Sequence, residues 1–299
     1  MHKQHNRHPV STIAVAAIKN PAAVLAAALV GLTAFPSHAD CGALATEVDA
    51  RCYTGNLQAA VDDALSSDRP LVLPRGTYRI SRPLVIDYAA HAGTGFELIS
   101  RGATIDGTSI SDVPALKILC SGGSPATPSS CFYFHQEGTL FVNARSSGYA
   151  VLIGKPDFAD AHNSIKIDHL IANNGGSGGG VQLNYVLNAD IFVVADSAGQ
   201  VGLDVEQMQF SVLRGAASAE TGTAMMMGPG YIFANTFQGL DLEASPVCVS
   251  DTHDKTTNNT WTSPYLNCET GLVYSEETHT MGQTNWHLGG AVRVPYTMK

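Results

Sequence analysis

Two acids two residues apart, Asp204 and Glu206, sit in the segment Gly-Leu203-Asp-Val205-Glu. Leu203 and Val205 alternate with them, so on an extended strand both carboxylates point the same way, opposite to the apolar pair. Residues i and i+2 of a strand stand about 6.5–7 Å apart. That lies near the separation at which an inverting glycosidase accommodates an acid, a base and the attacking water. Crowded carboxylates also push one pKa up toward the range of a general acid. The segment 22 residues earlier, Gly-Val181-Gln-Leu183-Asn, places Gln182 and Asn184 in the equivalent positions. The expectation is a catalytic pair, Asp204 and Glu206, flanked by the substrate-binding amides Gln182 and Asn184. The plain alternative is a solvated strand face.

Other groups are arranged in a second series of strands, each opened by a polar residue followed by a large apolar one. Counted from that apolar residue, His169, Arg214, Asp241 and Tyr265 are expected to share one column, with neighbours about 4.8 Å apart. Arg214 beside Asp241 reads as an ion-pair ladder or as a sugar contact, and Asp241 with Glu243 forms a second acidic pair. Asp251-Thr-His253-Asp254 reads as a cation site or as a solvated loop. In Met225-Met226-Met227, the alternation turns Met226 inward and the other two outward. There they would floor a groove beside the acids or meet another subunit. Trp261 and Trp286 open strands and are expected in the core.

The elements that must position these groups repeat. Short alternating strands begin their apolar side at 181, 203, 224, 247, 272 and 292, in steps of 20 to 25 residues. Between them runs the polar-then-apolar series Asn163-Ser-Ile165, Asn188 before Ile191, Gln209-Phe210, Asn235-Thr-Phe237, Asn259-Thr-Trp261 and Asn285-Trp286. A period of twenty-odd residues built of strands and turns is the mark of a solenoid, whose units bury their apolar faces only by stacking. The reading is all-β: a single-stranded, right-handed parallel β-helix, with asparagines stacked at its turns. Residues 154–162 insert into one coil and are expected to wall a groove or to form a plain surface loop.

Upstream, Asn56–Ser67 (NLQAAVDDALSS) reads as a helix with Asn56 as its N-cap and Leu57, Ala60, Val61, Ala64 and Leu65 on one face. It is placed to cover the open apolar end of the stack. Residues 40–70 are assigned to this N-terminal cap and 71–299 to the coils. The series NLQAAVDDALSS, LVLPRGTYRI, PLVI and ATIDG over 56–107 resembles the start of the pectate-lyase-like β-helix superfamily, in its rhamnogalacturonase/epimerase-like, glycosyl-hydrolase-28-related branch. The resemblance implies a right-handed β-helix acting on a polysaccharide. It leaves the reaction open, since hydrolases, lyases, epimerases and phage tailspikes share the architecture. Ile167-Asp168-His169 is similar to a short pectate-lyase motif, but the arginine motif of those enzymes and the acidic motifs of polygalacturonases are missing.

Segment 1–39 carries Lys3, Arg7 and Lys19, no acid, the apolar run 22–35 and a small-x-small site at Ser37-His38-Ala39. It reads as a signal peptide, giving a secreted or periplasmic protein with no membrane span in the mature chain. All six cysteines follow it, which suits an oxidising compartment. Sequence neighbours suggest Cys41–Cys52, Cys120–Cys131 and Cys248–Cys268, among 15 connectivities that six cysteines allow. From Asp40 onward 14 Lys and Arg face 26 Asp and Glu. Such an acidic chain is a poor partner for nucleic acid and, without Ca²⁺, for a polyanion. The leading reading is a secreted glycoside hydrolase that needs no cofactor. A polysaccharide lyase, which would bring in Ca²⁺, is an alternative. So are a non-catalytic glycan-binding or exopolysaccharide-handling module and a tailspike-like surface protein assembled as a homotrimer.

Overall fold

The computed structural model describes residues 41, 46–251, 255–274, 286–288 and 291–292. Segment 1–39, read above as a signal peptide, lies outside the described residues, as do His253 and Asp254 and the side chain of Trp286.

Each circuit of the chain adds one strand to each of three parallel sheets. The longest sheet contains Phe96–Gly107, Phe134–Ala144, Lys166–Asn174, Asp190–Ser197, Val212–Ala219 and Thr236–Glu243. A second stacks Leu84–Asp87, Leu116–Leu119, Val151–Ile153, Val181–Leu183, Val201–Val205, Thr223–Met227, Val247–Asp251 and Thr270–Tyr274. The third runs from Ser129–Phe132 through Asp160–Asn163, Val186–Leu187, Met208–Gln209 and Ile232–Phe233 to Thr256–Thr257. This is the expected parallel β-helix, with the right hand that parallel crossovers take. Its core is a column of side chains stacked coil upon coil, such as Ile167, Ile191, Leu213, Phe237 and Trp261. The Phe237 and Trp261 rings lie 4.4 Å apart.

The helix Leu57–Ser67 forms as its sequence dictates. The Asn56 side chain accepts from the Ala59 amide at 3.2 Å, and Asp68 ends the helix in the left-handed region. Leu57, Ala60, Val61 and Ala64 are buried with Leu71 and Leu84 of the first coils, while Gln58 exchanges two 2.9 Å hydrogen bonds with the Val85 backbone. The longest sheet, however, already begins at Val48–Asp49, which pairs with Leu71 and Val72, inside the segment read as cap.

Two features of register differ from the sequence expectation. The inward column is Val181, Leu203, Met225 and Val249, not one through 224 and 247. Gly202, Ala224 and Cys248 are buried as well, so alternation breaks at the second residue of each of these strands and a count from Ala224 slips by one. Met225 and Met227 are therefore in the core, and Met226 faces outward. The second difference is again one of phase: Leu213, not Phe210, is in register with Phe237, so Arg214 stacks on Gln238, while Asp241, past a one-residue shift in the pairing, stacks on Ala216 and Tyr265.

Asparagines do stack at the turns. Asn235 donates to Asn259 Oδ1 at 2.9 Å and accepts from the Ser211 amide at 3.0 Å, and Asn188 donates to Asn163 at 3.0 Å. The three disulfides are Cys41–Cys52, Cys120–Cys131 and Cys248–Cys268. The alternation counted from Val247 would turn Cys248 outward, but it is fully buried, and its bond to Cys268 closes within the wall of the stack.

Candidate functional site

Asp204 lies between the core residues Leu203 and Val205, so its side chain leaves the strand on the outer face. It is nevertheless only 1% exposed. Gln182, its partner one coil earlier, donates from Nε2 to Asp204 Oδ2 at 3.1 Å. Tyr149 reaches over from a loop 55 residues away and donates its hydroxyl to the same oxygen. Glu206 closes the group, with its carboxyl hydrogen-bonded to that of Asp204. Asp204 Oδ1 is buried and accepts from no group. Met226 of the following coil pairs beside Asp204.

Two glycines make room for this arrangement. A Cβ on Gly179 would lie 2.2 Å from the Tyr149 ring, and one on Gly228 would lie 2.3 Å from Glu206 Oε2. The chain at Gly228-Pro-Gly230 thus packs directly on Glu206, and the Gly230 amide donates to the Glu206 carbonyl at 3.0 Å.

Burial sets the electrostatics. Removal from water raises the pKa of both acids, because the charged form loses its hydration. Glu206 is pushed up to about 7, first by desolvation and then by the charge and hydrogen bond of Asp204. Asp204 is also raised by burial, against the lowering influence of its bonds from Tyr149, Gln182 and Glu206. Desolvation and the two acids push the Tyr149 hydroxyl up as well, so it stays a donor.

The expected separation of the two carboxyls is not what the coil provides. The two carboxyls hydrogen-bond to each other instead. The sequence argument used strand rise alone, whereas Glu206 lies just beyond the strand Val201–Val205, where the chain turns. Asn184 is not free to bind a substrate either. It is fully buried and its Nδ2 donates to the carbonyls of Ile153 and Gly154 at 3.4 and 3.1 Å. Gln182 is 8% exposed and committed to Asp204.

His169, Arg214 and Asp241 stand on the longest sheet, a different wall from the acidic pair, and the structure does not bring them to it. Arg214 forms its ion pair with Asp190, not Asp241. His169 packs edge-on against Phe192 at 4.2 Å, and Phe192 separates it from Arg214. Asp241 is raised by desolvation and by the neighbouring Glu243. Among the described residues, no group of three or more His, Cys, Asp or Glu is disposed to hold a metal ion. No described helix is long and apolar enough to cross a membrane.

A second polar cluster escapes sequence reading. Asp160, His162 and Tyr88 are fully buried inside the coils. Tyr88 Oη lies 2.8 Å from His162 Nδ1, and His162 Nε2 lies 3.4 Å from Asp160 Oδ2. Asp160 also accepts from the amides of Cys120 at 2.9 Å and Lys155 at 2.5 Å. It thereby ties the inserted residues 154–162 to the loop closed by Cys120–Cys131. Despite burial, these donors hold the Asp160 carboxyl below its usual range. The group is sealed from solvent and reads as structural. A cleft of about 300 Å³ opens at the capping helix, lined by Asp68, Arg69, His91, Glu97, Tyr133 and His135, far along the stack from Asp204.

No family model and no curated protein matches the chain. Two solved structures share 11% sequence identity with it, each at a TM-score of 0.32. One is the Dettilon tailspike protein, matched over 79% of this chain and 55% of that one. The other is ORF18 of Geobacillus virus E2, matched over 85% of this chain and 61% of that one. The matches thus span less than two thirds of either structure, and the fold described here rests on the strand pairing itself.

Proposed function

We propose that this protein is an exported β-helix that binds a neutral polysaccharide at Glu206 and Asp204. The observation that carries the reading is the half-exposed Glu206 carboxyl in contact with a buried Asp204 whose Oδ1 has no donor. A carboxyl pair sharing a proton offers one donor and several acceptors, which is what a sugar hydroxyl, itself donor and acceptor, can engage. The net charge of −9 favours a neutral glycan over a polyanion. The three disulfides fit an oxidising compartment, periplasmic or extracellular.

A second reading, glycoside hydrolysis, is favoured by one observation: Glu206 is raised to about 7, where a general acid works best. Glu206 would give its proton to the leaving glycosidic oxygen. Water would add to the anomeric carbon and return its own proton to the pair. The hydrogen bond between the carboxyls departs from the usual two-carboxylate arrangements, which hold the two groups apart for a water or a nucleophile, and it supports binding as the first reading.

One experiment separates the two. The purified protein is assayed on dextran, xylan and alginate for released reducing ends, for ultraviolet absorbance of an unsaturated product, and for retention in gels containing each polymer. Retention without cleavage, weakened in Asp204→Asn and Glu206→Gln, supports the binding reading. Reducing ends lost in both variants establish the hydrolase. New ultraviolet absorbance points to a lyase instead. Retention by none of the polymers, with no product, refutes all three for these glycan classes.

A further inference from the structure

Three large hydrophobic residues are more than half exposed among those described: Tyr133, Phe210 and Tyr231, at 58, 56 and 56%. Two of them lie around the corner from Glu206. Phe210 follows the short strand Met208–Gln209, and Tyr231 opens the next coil just after Gly230, whose amide bonds to the Glu206 carbonyl. Phe233, in register with Gln209, stands edge-on to Phe210 at 5.5 Å. Lys255 of the following coil sits 5.2 Å from the Tyr231 ring centre. The result is an aromatic platform that continues the surface carrying the acidic pair.

The backbone argues that this platform is not incidental. Tyr133, Ser164, Asn188, Phe210, Ala234 and Asn258 occupy one turn position in successive coils, all with φ between 49 and 63°. Asparagine suits that left-handed conformation and a bulky aromatic does not. Phe210 is therefore placed against local preference, a pattern associated with function.

Size decides what covers it. Phe210 and Tyr231 at about half exposure, with the less exposed Phe233 between coils, present roughly 200–300 Å², whereas a stable interface between proteins takes ~800 Å² from each partner. A patch of this size suits a ligand of one or two rings. We infer that Phe210, Phe233 and Tyr231 form a stacking subsite for the apolar face of a pyranose whose hydroxyls, or those of its neighbour, reach Glu206. This rests on the glycan-binding reading and extends it by naming where the chain runs: across the corner between two sheets.

The test is affinity electrophoresis in dextran, xylan and alginate gels, comparing the unaltered protein with Phe210→Asn and Tyr231→Ala. Asparagine fits the turn at 210, so thermal unfolding of Phe210→Asn should be unchanged or raised, showing an intact fold. Each variant should bind on the order of ten-fold more weakly, the scale of losing one aromatic contact. Retention of the unaltered protein with no loss in either variant overturns the subsite and leaves the acidic site standing. No retention of the unaltered protein overturns both. Self-association in sedimentation that Phe210→Asn abolishes would assign the patch to a second copy of the chain, and would overturn the subsite too.

Discussion

Replacing Glu206 by Gln removes one titrating group while keeping its shape, and its effect on stability can be worked from the structure. The Glu206 carboxyl is raised from 4.5 to about 7 in the fold. A carboxyl raised in this way favours its neutral form. Its contribution is therefore complete below pH 4.5 and is lost as pH climbs through about 7. The gap of about 2.5 pH units corresponds to ~3.4 kcal/mol for a fully shielded group. Glu206 is half-exposed, so solvent screening reduces this to about 1–2 kcal/mol. For a domain of this size that is roughly 2–8 °C in Tm. Thermal unfolding followed by circular dichroism at pH 5 and pH 8 measures it. The unaltered protein should lose that much more Tm between the two values than Glu206→Gln does. Every other ionisable group is common to both proteins and cancels in the comparison. Asp204 is relieved by the same substitution, which acts in the same direction. Parallel pH profiles, or a steeper one in the variant, would refute the assignment of Glu206 as a desolvated acid.

Three further perturbations discriminate between positions that look alike in sequence. Asn235→Ala strips donors and acceptors from a buried ladder and should cost about 2–3 kcal/mol in urea unfolding, whereas Asn188→Ala, at an exposed turn, should cost under 1. Gly228→Ala meets Glu206 at Oε2 (2.3 Å), Cδ (2.6 Å) and the backbone Cα (2.9 Å), so it should displace the carboxyl, moving the pH midpoint of the stability profile and lowering Tm; Gly178→Ala meets only backbone, the Gly148 carbonyl oxygen at 1.8 Å foremost, and should lower Tm without moving that midpoint. Asp160→Ala leaves two buried amides without an acceptor and should cost about 3 kcal/mol or more. Because the Asp160 carboxyl is held below its ordinary 3.8, its contribution is present above that pH and is lost on acidification through the lower value. The acid limb of the stability profile should therefore flatten in the variant.

The solenoid was legible because stacking forces apolar residues into columns, and a column prints as a period. The cap was legible for a local reason, since Asn56 and the apolar face of the helix lie within one short segment. What sequence could not resolve is the phase of each column. Ala224 is as buried as Met225 because it sits at a corner with Gly202 and Cys248, so an alternation count beginning there turns Met225 and Met227 the wrong way. Phe210 looks like the apolar residue that opens its strand, but Leu213 is the one in register with Phe237, and that slip of three is what separates Arg214 from Asp241. The Asp204–Glu206 pair was visible, but its depth was not: Tyr149 covers it from 55 residues away. The Asp160–His162–Tyr88 cluster joins residues 74 apart, and nothing in the spacing announces it.

Because Gln182, Asp204 and Met226 are equivalent positions in consecutive coils of 22 residues each, the chain has length only in whole coils. Excising residues 183–204 joins Gln182 to Val205 in the phase that Leu183 had, so every downstream strand meets an equivalent neighbour and the stack shortens by ~4.8 Å. Gln182 would then stand where Asp204 stood, beside Glu206. Such a shortened molecule keeps the architecture, the Phe210 platform and Glu206, and lacks one acid of the pair. It separates what the coil scaffold does from what the two carboxyls do together.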